Sequence, residues 1–243
     1  MLRLFHCHPR SPNQIEIAVA FKACGFKITT SQHEQADIHV ISGPNFAYDI
    51  YLGCPNVLMV DRACWGDGDK DQDKKVSIGW LQADGTRKYA TGEAPRLKPA
   101  MKPWKTQEQS CLLLPDYSMN NTMGDRTIEN VRLEAEARFG NASVRLHPGT
   151  DRRVRRSLRD HISDYDVVVG GRGTATFDAI ILGVPVICHP CNVCAPVAVT
   201  DMTAPLFRGD RTQWLHDISY AQFSLAEIAS GEAWDLLKDA RPC

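Results

Sequence analysis

The chain has 243 residues, 28 Lys and Arg against 29 Asp and Glu, and 43% hydrophobic content, enough for one compact domain or two small lobes. A net charge of −1 excludes strong nonspecific nucleic-acid binding by the whole surface, leaving room for a local basic patch. Nine scattered cysteines, several inside apolar runs (Cys24, Cys111, Cys188), argue against a disulfide scaffold and for a reducing cytoplasm. No apolar run has the length of a membrane span, and residues 1–6 read as a strand rather than a signal peptide.

From the start, residues 2–5 predict a buried strand. Ile15, Ile17, Ala18, Val19 and Phe21 recur at helical spacing up to Cys24, and Gly25 closes that helix. Residues 26–29 and 38–42 read as strands. Gly43-Pro44 breaks the second, residues 46–52 fit a short helix, and residues 56–60 form another buried strand. This alternation is the pattern of an open parallel sheet. Residues 61–75 make a charged loop. Residues 76–81 and 87–89 predict a hairpin around Asp84-Gly85. Residues 93–103 carry three prolines and no periodicity, which is linker composition.

A second alternating series opens at residues 111–114. Thr127 predicts the cap of a helix ending near Phe139, with Gly140 as its stop. Residues 143–146 form a strand that leads into His147-Pro148-Gly149, and a basic helix follows over 151–162. The stretch that organises the chain comes next. Val167, Val168 and Val169 form a short β-branched strand, and residues 170–173 a glycine-rich turn. Thr174 or its neighbour caps a helix to about Leu182, with Phe177, Ile180 and Ile181 at helical spacing. Gly183 ends it, and Val184-Pro185-Val186-Ile187 begins another strand, completing one βαβ unit. Residues 191–208 are a loop, and helices near 211–219 and 224–237 finish the chain. The expected fold class is α/β: two Rossmann-like lobes facing a cleft, with residues 1–105 the acceptor lobe and 106–243 the nucleotide-binding lobe.

The glycine-rich turn has a chemical use. Unpartnered N–H groups at a helix start attract an anion, often phosphate, and glycines admit it to the backbone. Gly171, Gly173, Thr174 and Thr176 supply that cradle, and Arg172 adds a fixed positive charge. No Lys follows the last glycine, so this is not a P-loop. Thr176 stands where a dinucleotide fingerprint needs its third glycine. His189, at the end of the next strand, borders the same crevice.

Taken in order, the strand ending in His147-Pro148, the helix after it, the run Val167 to Thr176 and the closing Gly183-Val184-Pro185-Val186 resemble the nucleotide-binding lobe of GT-B glycosyltransferases. The likeness is to capsule-polysaccharide and sialyltransferase-like enzymes, over residues 108–190. It implies a nucleotide-sugar donor, with His147 facing the nucleotide or its phosphates and Gly173, Thr174 and Thr176 on the phosphates. The opening turn from Cys7 to Asn13 departs from the pattern in lacking glycines. The compact size, with Asp61 to Trp65 and Val76 to Gln82, resembles virus-encoded relatives, some of which glycosylate hydroxymethylated pyrimidines in phage DNA.

The reading is therefore a glycosyltransferase that needs no metal or other cofactor, in the cytoplasm (the host's, if viral). Its preferred acceptor is a modified base in DNA. A surface polysaccharide or other glycan is the alternative, as is a non-catalytic nucleotide-binding module. Both inverting and retaining transfer suit these residues. An inverting reaction needs a base for the acceptor hydroxyl. Asp61, directly after the 56–60 strand, is that candidate, and His8 is the second. Arg152, Arg153 and Arg156 either grip nucleic-acid phosphates or form the solvated face of an amphipathic helix. Cys188, His189, Cys191 and Cys194 have zinc-ligand chemistry but stand as one isolated cluster, so buried structural thiols are the preferred reading.

Overall fold

The computed structural model describes residues 3–6, 12–30, 36–42, 51, 54–64, 75–96, 99–116, 121–123, 126–146 and 156–241. Contacts divide the chain into two compact units: Met1–Lys98 with Leu215–Cys243, and Pro99–Trp214. The boundary expected near residue 105 is thus earlier, and residues 215–243 lie with the first unit rather than the second.

In the first unit, β1 (Arg3–His6), β2 (Lys27–Thr29), β3 (Ile38–Ser42) and β4 (Val57–Arg62) are parallel, in the order β2-β1-β3-β4. Helix α1 (Pro12–Ala23) joins the first two. The sheet then turns antiparallel. Strand β5 (Lys75–Leu81) runs against β4, and β6 (Arg87–Lys88) folds back on β5 with Gly85 at φ 84° in the turn. The parallel strands and the hairpin are both as expected; the antiparallel pairing of β5 with β4 joins them in one mixed sheet.

The returning C-terminal segment completes this unit. Strand β13 (Gln222–Ser224) pairs antiparallel with β5. Phe223, with Ile228 and Leu237 from the helices that follow, joins Ile17, Phe21, Val40, Leu58, Ile78 and Trp80 in one buried core. The Trp80 indole donates to the carbonyl of Leu237 at 2.7 Å. One closing helix was expected over 224–237. Two are present, Leu225–Ser230 and Glu232–Asp239, because Gly231 takes φ 93° between them.

In the second unit β7 (Cys111–Leu114), β10 (Ala142–Val144), β11 (Val167–Gly170) and β12 (Val186–Cys188) form a parallel sheet ordered β10-β7-β11-β12. A short antiparallel pair, β8 (Asn121–Met123) and β9 (Arg126–Thr127), precedes α2 (Ile128–Phe139). The Thr127 hydroxyl accepts from the Asn130 amide at 3.2 Å, and Gly140 ends the helix at φ 78°, as expected from these residue types. Val131, Ala135 and Phe139 recur every four residues and pack on Cys111, Leu113, Val167 and Val169. Helix α3 (Leu158–Ile162) is capped by Ser157; of the helix expected over 151–162, residues 151–155 lie outside the described residues.

Helix α4 (Thr176–Ile181) lies on the other face of this sheet. A β-carbon at Gly170 would strike the Thr176 methyl, and Gly170 alternates with Val169, which faces α2. Helices on both faces make this a doubly wound unit. Of Thr174 and its neighbour, the neighbour Ala175 holds the cap position, and it does so with no side-chain hydrogen bond.

Residues 99–109, partly read as linker, are instead a strap on this unit. Lys102 and Lys105 donate their amides to Ile181 and Gly183, at 2.9 and 2.7 Å. The buried Arg211 guanidinium stacks 3.9 Å from the Trp104 ring centroid and donates to the carbonyls of Ile180 and Lys102. Gly183, at φ 74°, leaves room for the Pro103 carbonyl where a β-carbon would collide. Proline hid this order because the strap's bonds are made to other elements, not within itself. Among the described residues no helix is long and apolar enough to cross a membrane.

Candidate functional site

Strand order singles out one edge of the second unit. From β7 the chain goes to its neighbour β10 on one side, then returns to place β11 on the other. Between β7 and β11 the order therefore reverses, and open α/β sheets bind ligands outside the carboxyl ends of strands at such a point. The residues leaving those ends are Pro115 and Asp116 after β7, residues 171–175 after β11, and His189 to Asn192 after β12.

The turn at 171–173 is clamped from both sides. On its N–H side, the Arg172 and Gly173 amides donate to Oδ2 and Oδ1 of Asp116, each at 2.9 Å. A β-carbon at Gly171 would collide with that carboxylate. On its carbonyl side, Asn192 Nδ2 donates to Gly171 and Gly173, at 2.7 and 2.9 Å. Asn192 Oδ1 accepts from the Cys194 amide at 2.8 Å and from the Thr176 hydroxyl at 3.0 Å. Asn192 is 4% exposed and uses both donors and its acceptor oxygen inside the fold.

His189 is half-buried beside this turn. Its Nδ1 accepts from the Cys191 amide at 3.1 Å, so the neutral ring carries its proton on Nε2. Burial first, and then the Arg172 charge, hold its pKa below the ordinary 6.5. At neutral pH this edge thus presents a guanidinium and a neutral imidazole N–H.

The other predicted residues divide. Gly171, Arg172, Gly173, Thr174 and His189 gather at this edge. Thr176 does not offer its hydroxyl there: the residue is 1% exposed and bonded to Asn192. His8, His147, Arg152 and Arg153 lie outside the described residues. Arg156 is exposed and forms a two-pronged ion pair with Asp164, a structural use of its charge. Asp61 does not follow β4 but is its fifth residue, registered against Ser77, because β5 extends the pairing past residue 60. Its carboxylate lies 4.0 Å from Arg87, whose side chain is 3% exposed. Cys188 and Cys194 are buried, and burial pushes the Cys188 thiol up to about 12, the behaviour of a core thiol. Among the described residues no group of three His, Cys, Asp or Glu is gathered as metal ligands.

Two residues of this edge were not read from the sequence. Asp116 follows an apolar strand at its carboxyl end, the placement that drew attention to Asp61, so the signal was present. Asn192 stands among the cysteines that invited a metal reading, and its role depends on a contact 19 to 21 residues back in the chain.

No family model matches the chain, and no curated protein matches it in sequence. Among solved structures it is similar to the KpsC beta Kdo 2,7 transferase of Thermosulfurimonas dismutans, with a TM-score of 0.55 at 13% identity, over 93% of this chain and 97% of that one. The chain thus shares a mixed α/β fold with a glycosyltransferase.

Two predictions follow from this geometry. Asn192→Ala strands two turn carbonyls and a buried amide, so unfolding free energy should fall by about 2–4 kcal/mol. Amide exchange over residues 171–176 should quicken more than exchange over β7, as mass spectrometry would read. The second concerns pH. Burial also holds His161 below 6.5. Below the ordinary value the unfolded chain therefore binds more protons at His161 and His189 than the folded one. Stability from these groups is full above about pH 6.5 and falls as pH drops through the window beneath it. Urea midpoints at about pH 7.5 and about 5.5 should show this, with a shallower loss in His189→Gln.

Proposed function

We propose that the protein is a glycosyltransferase that takes a nucleotide-sugar donor at the carboxyl edge of the Pro99–Trp214 sheet. The observation that carries this reading is the placement of Arg172 and His189 together at the switch point of that sheet, close enough for the Arg172 charge to act on the imidazole. A guanidinium binds phosphate oxygens in two-pronged fashion, and an imidazole N–H adds a directed donor. Together they can stabilise the phosphate that leaves when the sugar is transferred, without requiring a metal ion. The fold likeness to a Kdo transferase supports sugar transfer as the reaction class.

For the acceptor we propose a glycan hydroxyl. The DNA acceptor first preferred rested on a short sequence likeness and on the 152–156 arginines, of which the described Arg156 is bonded to Asp164. For the base we keep Asp61, with His8 as the second candidate.

Incubation with a panel of nucleotide sugars and glycan or hydroxymethylated-DNA acceptors, read by mass spectrometry, tests the reading. Transfer should occur to glycan and persist in EDTA. Arg172→Ala should weaken donor binding roughly 10- to 100-fold by calorimetry, as expected for a charge-assisted contact, with the fold unchanged. Unchanged donor affinity would remove Arg172 from the site. Asp61→Asn should lower turnover by about 10²–10⁴-fold while donor affinity stays near normal. A lowered melting temperature with normal turnover would assign Asp61 to holding Arg87 alone.

A further inference from the structure

The two backbone donors that a phosphate would use already have a partner. The N–H groups of Arg172 and Gly173 belong to the turn ahead of α4, and each is bonded to one oxygen of Asp116 at 2.9 Å. The fit is specific to a carboxylate in this position. Gly171 has no β-carbon where Oδ2 lies, and a β-carbon at Gly173 would come within 3.1 Å of Oδ1. Asn192 fixes the opposite side of the turn by its carbonyls, so the amides cannot swing away from Asp116 without breaking buried hydrogen bonds.

We infer that Asp116 is the resident anion of this turn, and that a phosphate group enters it by replacing the Asp116 carboxylate. The inference rests on the donor-binding reading of the same edge and adds a selectivity device to it. Carboxylate and phosphate oxygens need the same pair of donors, and two anions at contact distance repel in a half-buried site. A free phosphate gains little by displacing an anion that is already tethered at an effectively high local concentration. A larger ligand also gains the Arg172 guanidinium, the His189 N–H and the contacts of its nucleoside. The internal carboxylate therefore screens out small anions and admits phosphates that bring additional contacts. The exchange needs no covalent step: Asp116 leaves the turn charged and is hydrated or meets other groups of the crevice.

The test uses the full chain with inorganic pyrophosphate as the probe. Asp116→Ala should melt below the unsubstituted protein in phosphate-free buffer, and pyrophosphate should restore the difference. Pyrophosphate should bind Asp116→Ala at least about tenfold more tightly than the unsubstituted protein, because the competitor is gone. Asp116→Asn, which keeps one acceptor oxygen, should fall between them. Should neither variant fold, the unsubstituted protein still decides: saturating pyrophosphate should shift the Asp116 carboxyl carbon and the Arg172 and Gly173 amides together in NMR spectra. Pyrophosphate binding no tighter in the folded variants, or a carboxyl resonance that stays put while pyrophosphate binds, overturns the inference. Arg172→Ala separates the two readings. If it weakens pyrophosphate binding while Asp116→Ala does not strengthen it, the donor site stands and the resident anion fails. If Asp116→Ala tightens binding and Arg172→Ala changes nothing, the resident anion stands and the Arg172 role fails.

Discussion

The Pro99–Trp214 unit depends on one small constraint: a turn of glycine backbone held between a carboxylate and an amide. Asp116 takes its N–H groups and Asn192 its carbonyls. Backbone polar groups at the end of a buried parallel strand must find partners, and here the partners are side chains from the ends of the neighbouring segments. The clamp joins what leaves β7, β11 and β12 into one piece. Arg172 and His189 are carried on that piece: the Arg172 amide is one of the clamped donors, and neither side chain takes part in the clamp.

The constraint also explains the glycines. Open glycine turns are read as cradles for a ligand, and this one is a cradle for the protein's own Asp116. Carboxylate and phosphate oxygens make the same demands on a pair of amides. The Arg172 guanidinium lies outside that clamp's backbone bonds.

Both units place their first four parallel strands in the same order, with the second strand beside the first and the third on its other side. They differ in how the sheet ends. The second unit stops at β12, with Val199 forming a single parallel bridge to Ile187. The first continues through antiparallel β5 to β13, which the chain reaches only after passing through the whole second unit. At 13% identity the similarity to a transferase structure extends over nearly the whole chain, so this architecture is compatible with very different residues.

The elements legible in the sequence were those whose signals are local. Apolar runs marked β3, β7 and β11; Thr127 and Gly140 bounded α2; Gly85 marked the hairpin and Gly183 the stop of α4. Each depends on residues within one or two turns of chain, and so is written in a short window. The Gly171 to Thr174 turn, with Arg172 and His189, was legible for the same reason. The tertiary structure alone decided the rest. It made Gln222 to Ser224 a strand, because β5 had an edge to pair. It ordered the 99–109 strap, because Arg211 and Gly183 were there to receive it. It turned the Thr176 hydroxyl inward, because Asn192 needed a donor, and it set Asp116 on the turn. These outcomes depend on partners from 16 to more than 100 residues away, and no local pattern of spacing or propensity encodes which distant group will satisfy a given hydrogen bond.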